Sequence, residues 1–340
     1  MSGELEQTTE CDVASMAKRL KEAGHRIDPV LEELFPPETD RYLREPFWHH
    51  MAGGGKRLRP ALCVLSCKAL GGDESDALYF AAAVEILHNM FLVHDDIEDG
   101  DHIRRDQPTV WAEYGIGNGI NVGDFMLGRA FRAVLKTPAD EATRLRLMDE
   151  FVTTYDYTCQ GQAFDLNRRG DEDLTVEDYL EMVTRKTGHY LTLGMVGGAI
   201  IAGAPEEAVD AFHELGRNMG PAFQIRDDVL DLEASKGRGG DVGNDIREGK
   251  PSILFAHSIK NAEPDDRATL LEIMRRDRDD TSDEDVETVV EIYESCGAFE
   301  FARQKSQELT ERGFETVERI PTEEKDFFRN VVTYMAERSS

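Results

Sequence analysis

The sequence predicts an all-α protein built as a large antiparallel helical bundle. Three observations lead there. Apolar stretches recur at helical spacing, foremost the run from Ala81 to Val93, which has no Gly or Pro and is rich in helix formers. No segment alternates convincingly at period two, and no strand–turn pair stands out. No Pro/Gly/Ser-rich linker interrupts the chain, so long helices with short connections read as one domain over 11–340, after a polar, flexible stretch at 1–10.

Taken in order, residues 12–51 hold one or two amphipathic helices, broken at Pro36-Pro37. The loop Gly53-Gly54-Gly55-Lys56-Arg57-Leu58-Arg59-Pro60 leads into an apolar helix that reaches about Leu70 and stops at Gly71-Gly72-Asp73. Another helix begins near Ser75 and runs to an acidic cluster at 94–99. A loop over 100–117 carries Arg104-Arg105-Asp106, and helices follow near 118–136 and 139–168. Thr175-Val176-Glu177-Asp178 has the Thr-x-x-Asp form of a helix start. The helix it opens extends to about 203, interrupted at Arg185-Lys186-Thr187-Gly188. Residues 206–233 form the next helix, 234–250 a Gly-rich charged loop, and shorter helices fill the remainder.

The 340 residues include 68 acidic and 39 basic ones, a formal net charge of −29, which argues against a nucleic-acid footprint. Hydrophobic content of 40% argues for a folded core despite that charge. Only 11 of the 39 basic residues are Lys. An acidic, Lys-poor surface suits a salt-rich, halophilic cytoplasm, where the Debye length falls to about 3 Å at 1 M. Cysteines at 11, 63, 67, 159 and 296 are odd in number and scattered, which fits a reducing cytoplasm, with Cys63 and Cys67 as small core residues. The longest apolar segment, Tyr190 to Ala204, falls short of the roughly twenty residues a transmembrane helix needs. A soluble cytoplasmic protein is expected.

Two motifs carry the chemistry. His94-Asp95-Asp96-Ile97-Glu98-Asp99 ends the apolar run, and Asp95 and Asp99 lie on one helical face about a turn apart. Carboxylates so placed repel unless a cation sits between them, and as hard oxygen ligands they suit Mg²⁺. A solvated acidic helix end is the plainer reading of one such motif. A second, Asp227-Asp228-Val229-Leu230-Asp231, repeats the spacing with apolar flanks that a solvated face would not need. Together they read as two walls of one cavity with metal between them. A metal cluster then calls for an anionic substrate, most simply a phosphate. Lys56, Arg57 and Arg59 after three glycines, Arg104 and Arg105 past the first motif, Lys186 before Thr-Gly, and Lys250 before Pro-Ser are the cations to meet it. Any one of them alone would pass for a surface cation. His88, two turns before the first motif, is either a core histidine or a phosphate donor.

In this order the segments 53–60, 94–99, Arg104-Arg105, Gly161-Gln162-Ala163-Phe164-Asp165, Lys186-Thr187-Gly188, Phe223–Asp228 and Gly249-Lys250-Pro251 closely resemble those of trans-isoprenyl diphosphate synthases, the polyprenyl synthetases. The resemblance spans roughly 50–255. It implies an isoprenoid-synthase bundle around a deep central cavity, usually a homodimer, and condensation of isopentenyl diphosphate with an allylic diphosphate. It implies that Asp95, Asp99 and Asp227 hold several Mg²⁺ ions, with Asp96, Asp228 and Asp231 in support. Arg104, Lys186 and Lys250 would clamp the allylic diphosphate, with Thr187 and Gln224 lining the path of the cation and Lys186, Thr187 and Gln224 acting in catalysis. Lys56, Arg59, His88 and Arg105 would hold isopentenyl diphosphate, Arg57 being a weaker candidate. Met90 and Phe91, about 6–7.5 Å along the helix from Asp95, with Leu87 and Val84 deeper, would floor the cavity and set product length. Geranylgeranyl diphosphate is the expected product; farnesyl, C25 or longer products, and a non-catalytic partner subunit, are the alternatives. One departure stands out: Gly240 occupies the place of a Lys usual in the family's Gly-rich loop, and Lys236 and Arg238 are its nearest substitutes.

Overall fold

The computed structural model of the protein describes residues 15–232 and 242–337. The readings made for residues 1–10, Cys11, Lys236, Arg238 and Gly240 therefore lie outside the described residues. The expectation of an all-α protein holds. The helices are α1 (15–25), α2 (Asp28–Leu34), α3 (Arg41–Ala52), α4 (Leu58–Ala69), α5 (Leu78–Glu98), α6 (Val110–Tyr114), α7 (Ile116–Lys136), α8 (Glu141–Asn167), α9 (Val176–Val183), α10 (His189–Ile201), α11 (Glu206–Leu230), α12 (Asn244–Arg247), α13 (Ile253–Asn261), α14 (Pro264–Met274), α15 (Asp283–Ser295), α16 (Ala298–Glu318) and α17 (Lys325–Glu337). No described helix is long and apolar enough to cross a membrane.

Two segments depart from expectation: 12–51, read as one or two helices, holds three (α1–α3), and 100–117, read as loop, holds the short helix α6 and a hairpin. Two strands, β1 (Ile103–Arg104) and β2 (Gln107–Pro108), pair antiparallel inside the segment read as loop. Arg105 and Asp106 connect them at φ 52° and 63°. Two successive positive φ values are the signature of a type I′ turn, whose twist suits a hairpin. Strands of two residues are too short to show any alternation.

The helices fall into two compact units. Of the described residues, the first comprises those up to Tyr155 together with Tyr190–His213 and Val317–Val331; the second comprises Asp156–His189, those of Glu214–Thr316, and 332–337. In the first unit α7 lies along α5, and α4 packs beside α5. Ala81, Ala82 and Ala83 leave room for those neighbours, and Phe47, Phe80, Phe151, Phe212 and Phe328 fill the core. Helix α10 presses directly on α4. A Cβ on Gly194 would stand 2.6 Å from the Arg59 carbonyl oxygen, and one on Gly198 would stand 2.5 Å from that of Cys63. Only glycines permit this approach. Cys63 and Cys67 are both buried on α4, as small core residues should be.

In the second unit Tyr179, Ile225, Phe255, Leu270 and Val289 form the core. Thr175 caps α9 in a complete capping box with Asp178. The interruption expected at Arg185–Gly188 is a π turn, Thr184–Gly188, between α9 and α10. It is held where the backbone of α8 comes closest: a Cβ on Gly161 would lie 2.4 Å from the Lys186 amide nitrogen. Single π turns within helices are frequent at functional positions.

Candidate active site

In the first unit the Gly-rich loop follows α3 and hands the chain to α4 through Arg57, whose φ of 48° lies in the left-handed region. A non-glycine residue there needs holding. The Arg57 guanidinium meets the Glu85 carboxylate of α5 at 2.7 Å, with Asp28 at 4.0 Å. Glu85, itself buried, also accepts from Asn89 Nδ2 at 2.9 Å. Asn89 Oδ1 in turn accepts from His50 Nε2 at 3.0 Å. Burial lowers the His50 imidazole to about 3, so it is neutral. Arg57 is thus committed to a buried polar chain, and of the loop cations Lys56 is the exposed one.

The hairpin closes against the same loop. Arg105 donates from Nη1 to the Gly54 carbonyl, Gln107 Nε2 donates to the His49 carbonyl at 3.0 Å, and His49 Nε2 donates to that of Pro108 at 2.8 Å. Arg59 Nη1 stands 3.4 Å from His88 Nε2. Since a guanidinium only donates, Nε2 is the acceptor and the imidazole proton sits on Nδ1. That Nδ1, like Arg59 Nε, is buried without a hydrogen-bond partner. Burial and the charges of Arg59 and Arg105 hold His88 well below the ordinary imidazole range. The pair therefore offers two unspent donors from a neutral ring and a cation, a fit for an anionic oxygen.

The first acidic motif occupies the last turn of α5, with Asp95 and Asp99 half-buried and Asp96 fully buried. Arg104 Nε donates to Asp96 Oδ1 at 2.5 Å. Burial pushes the Asp96 carboxyl up to about 7 while Arg104 opposes the shift, and its Oδ2 has no partner. Leu87 and Met90 are buried in the core, whereas Phe91 is half-buried and stacks on Tyr155 with centroids 5.9 Å apart.

In the second unit the second motif likewise ends its helix, α11. Asp227 is half-buried there. Asp228 is buried, accepting from the Tyr179 hydroxyl at 2.7 Å, from Gln224 Nε2 at 3.1 Å and from the Ile253 amide at 3.2 Å. Burial, then Asp245, raises its pKa. Asp231 accepts from the Asp245 amide at 3.0 Å, which ties the motif to the segment leading to Lys250. Lys250 reaches Glu248 at 2.7 Å and Asp245 at 3.6 Å. Lys186, in the π turn, donates to Asp165 of α8, and Thr187 is buried beside it.

The donors fit a hard divalent cation. Each motif sets carboxylates at the negative end of a helix dipole, which favours a cation there. Each motif combines half-buried aspartates (Asp95, Asp99, Asp227) with buried ones that accept from protein donors (Asp96, Asp228, Asp231). Among the described residues no three His, Cys, Asp or Glu side chains are gathered closely enough to hold a metal ion by themselves. Mg²⁺ does not need such a cage, because it keeps waters and shares substrate phosphates. Sequence reasoning missed Glu85, Asn89, His50, Tyr179 and the partnership of Asp165 with Lys186. A charged and an amide residue inside the apolar run of α5 were the available signal for the first two.

Comparison with known proteins places the chain in a family. Residues 40–293 match the polyprenyl synthetase family. The geranylfarnesyl diphosphate synthase of Natronomonas pharaonis is 32% identical, over 92% of this chain and 95% of that one. The geranylgeranyl diphosphate synthase of Saccharolobus solfataricus is 34% identical, over 86% and 88% respectively. The crystal structure of the geranylgeranyl pyrophosphate synthetase of Pyrococcus horikoshii superposes with a TM-score of 0.88 at 34% identity, covering 96% of this chain and 99% of that one. By sequence over most of its length and by fold, the chain belongs to the polyprenyl synthetase family and is a prenyltransferase.

Proposed function

We propose that the protein condenses isopentenyl diphosphate with an allylic diphosphate, makes geranylgeranyl diphosphate as its main product and releases diphosphate. The observation that carries this reading is the pair of acidic motifs, each at the negative end of its helix with half-exposed carboxylates, in a chain whose Arg59 and His88 keep two buried donors unspent. Mg²⁺ held by Asp95, Asp99 and Asp227 would supply the positive charge that stabilises a departing diphosphate. Arg104, Lys186 and Lys250 add charge to the same leaving group. Lys56, Arg59, His88 and Arg105 orient isopentenyl diphosphate, with His88 donating from Nδ1. Thr187 and Gln224 line the path of the allylic cation, and apolar surroundings exclude water from it. Asp96, Asp228 and Asp231 support the metal-binding carboxylates through their own protein partners.

The product assignment takes Phe91 as the bulky stop, with the buried Met90 and Leu87 beneath it. A C25 product is the second reading, favoured by the geranylfarnesyl diphosphate synthase among the relatives. A homodimer is proposed on the exposed apolar side chains of the first unit, Ile116 and Ile120 on α7 with Leu145 and Val152 on α8. A reducing, salt-rich cytoplasm is proposed on the thiols of Cys63, Cys67 and Cys296, which form no disulfide, and on the net charge of −29. Residues 11–340 are proposed to act as one domain, since the chain passes repeatedly from one helical unit to the other.

The test is incorporation of labelled isopentenyl diphosphate in high KCl with Mg²⁺. Dimethylallyl, geranyl and farnesyl diphosphates are offered singly as primers, and the products are separated by length. A ladder ending at C20 is expected. Folded protein that incorporates nothing from any primer would instead be a partner subunit without activity of its own.

A further inference from the structure

We propose that Tyr190 determines specificity in this condensation: its ring braces Arg59 and, through Phe91, stiffens the wall that ends chain growth. The inference rests on the synthase reading above.

Tyr190 is the second residue of α10, just past the π turn that carries Lys186. Gly194 and Gly198 let α10 settle onto the backbone of α4 at Arg59 and Cys63, and this brings the Tyr190 ring to Arg59. The Arg59 guanidinium carbon lies 4.2 Å from the ring centroid, a cation–π contact. The His88 ring stacks on Tyr190 at 5.8 Å and 25°. On its other contact, Tyr190 meets Phe91 at 6.2 Å and 56°, while Tyr155 stacks on Phe91 at 5.9 Å and 18°. His88 and Phe91 stand three residues apart and so share one face of α5. Tyr190 therefore touches both the cation assigned to the isopentenyl diphosphate and the ring assigned to stop elongation.

The ring has two jobs that can be measured separately. An aromatic face holds the Arg59 guanidinium in one place before substrate arrives, whereas an aliphatic side chain would leave it to wander. Phe91, flanked by Tyr155 and Tyr190, has an aromatic neighbour on each contact and little freedom to turn aside for a longer tail. Replacing Tyr190 with a smaller, flexible side chain frees one flank of Phe91. Growth should then run at least one C5 unit further, and the isopentenyl diphosphate site should weaken.

The experiment compares the full-length wild type with Tyr190→Leu, Tyr190→Met and Tyr190→Phe, using farnesyl diphosphate as primer. Product length, KM for isopentenyl diphosphate and kcat are read, and circular dichroism confirms folding. Two aliphatic variants are made so that misfolding of one leaves the other. Tyr190→Leu or Tyr190→Met should move the end of the ladder from the wild-type length to one C5 unit longer, and raise KM for isopentenyl diphosphate roughly two- to fivefold. Tyr190→Phe keeps the ring and should keep both values. A folded aliphatic variant with the wild-type ladder overturns the proposal, whatever its kcat, because a merely structural tyrosine would lower turnover without moving product length. An unchanged KM overturns it as well. A wild type that yields no product removes the synthase reading itself, and this inference with it, before any variant is tested.

Discussion

Replacing Glu85 with Gln removes the carboxylate that holds Arg57 in its left-handed backbone. The two side chains meet at 2.7 Å, with 11% of Arg57 and 5% of Glu85 exposed. Breaking a buried pair by neutralising one member costs about 3–5 kcal/mol, because the other charge stays behind without compensation. Asp28, at 4.0 Å and 46% exposed, offers Arg57 a partial substitute and pulls the figure to the low end. We therefore expect Glu85→Gln to lose about 3 kcal/mol. Arg57→Gly also breaks the pair, but it relieves a left-handed conformation worth about 1–2 kcal/mol and should lose less. In the glycine background Glu85→Gln has no cation left to strand. Urea unfolding of the wild type, the two single variants and the double variant closes a cycle, and a coupling of about 2 kcal/mol or more is expected. Coupling below about 0.5 kcal/mol would refute the reasoning, since Arg57 would then be held by something other than Glu85. The same Glu85→Gln protein should show a raised KM for isopentenyl diphosphate, because the junction between the loop bearing Lys56 and the start of α4 bearing Arg59 loses its anchor.

Three further predictions follow from the site. Gly161→Ala would set a Cβ 2.4 Å from the Lys186 amide nitrogen, so it should cost about 1–3 kcal/mol by overpacking and depress kcat as the π turn shifts. His50, buried neutral with its pKa lowered to about 3, takes up a proton near the ordinary value of 6.5 only on unfolding. Stability from this group is thus complete above about pH 6.5 and falls by about 1.4 kcal/mol per pH unit as the solution is acidified toward 3; His50→Gln should flatten that slope in urea titrations at several pH values. Finally, chelation by EDTA should abolish turnover and excess Mg²⁺ restore it. Asp95→Asn and Asp227→Asn should each lower kcat by roughly 10²–10³-fold with the fold retained, and full turnover in either variant would remove that residue from the metal set.

The helices were legible wherever apolar period and punctuation agreed. The Ala81–Val93 run marks α5, Gly71-Gly72 marks the gap before it, and Thr175 with Asp178 marks the start of α9. The Lys-Thr-Gly interruption was legible too, but its π geometry was not. That geometry depends on how closely Gly161 of α8 approaches, which no local window contains. The hairpin was hidden for two reasons. Its strands are too short to alternate, and its turn is Arg105-Asp106, without the glycine that usually announces a type I′ turn. The candidate site divides in the same way. Its charged ends could be read from Asp and Lys/Arg spacing, since ligands for phosphate and Mg²⁺ come from a short list of residue types. Its supports could not, because Glu85, Asn89, His50 and Tyr179 act through partners distant in sequence.

The turn at Arg105-Asp106 also bears on what can be improved in this protein. A chain shaped for stability alone would place Asn-Gly there, since each side chain held at positive φ weakens the fold by about 1–2 kcal/mol. An arginine at that point exchanges stability for a guanidinium fixed against the Gly54 carbonyl, beside Arg104. Thermostabilisation schemes that favour glycine at strained turns would select this position early and, on the proposed role of Arg105, would remove a substrate cation. The hairpin tip is thus a place where gain in melting temperature and loss of activity should arrive together, through a single residue.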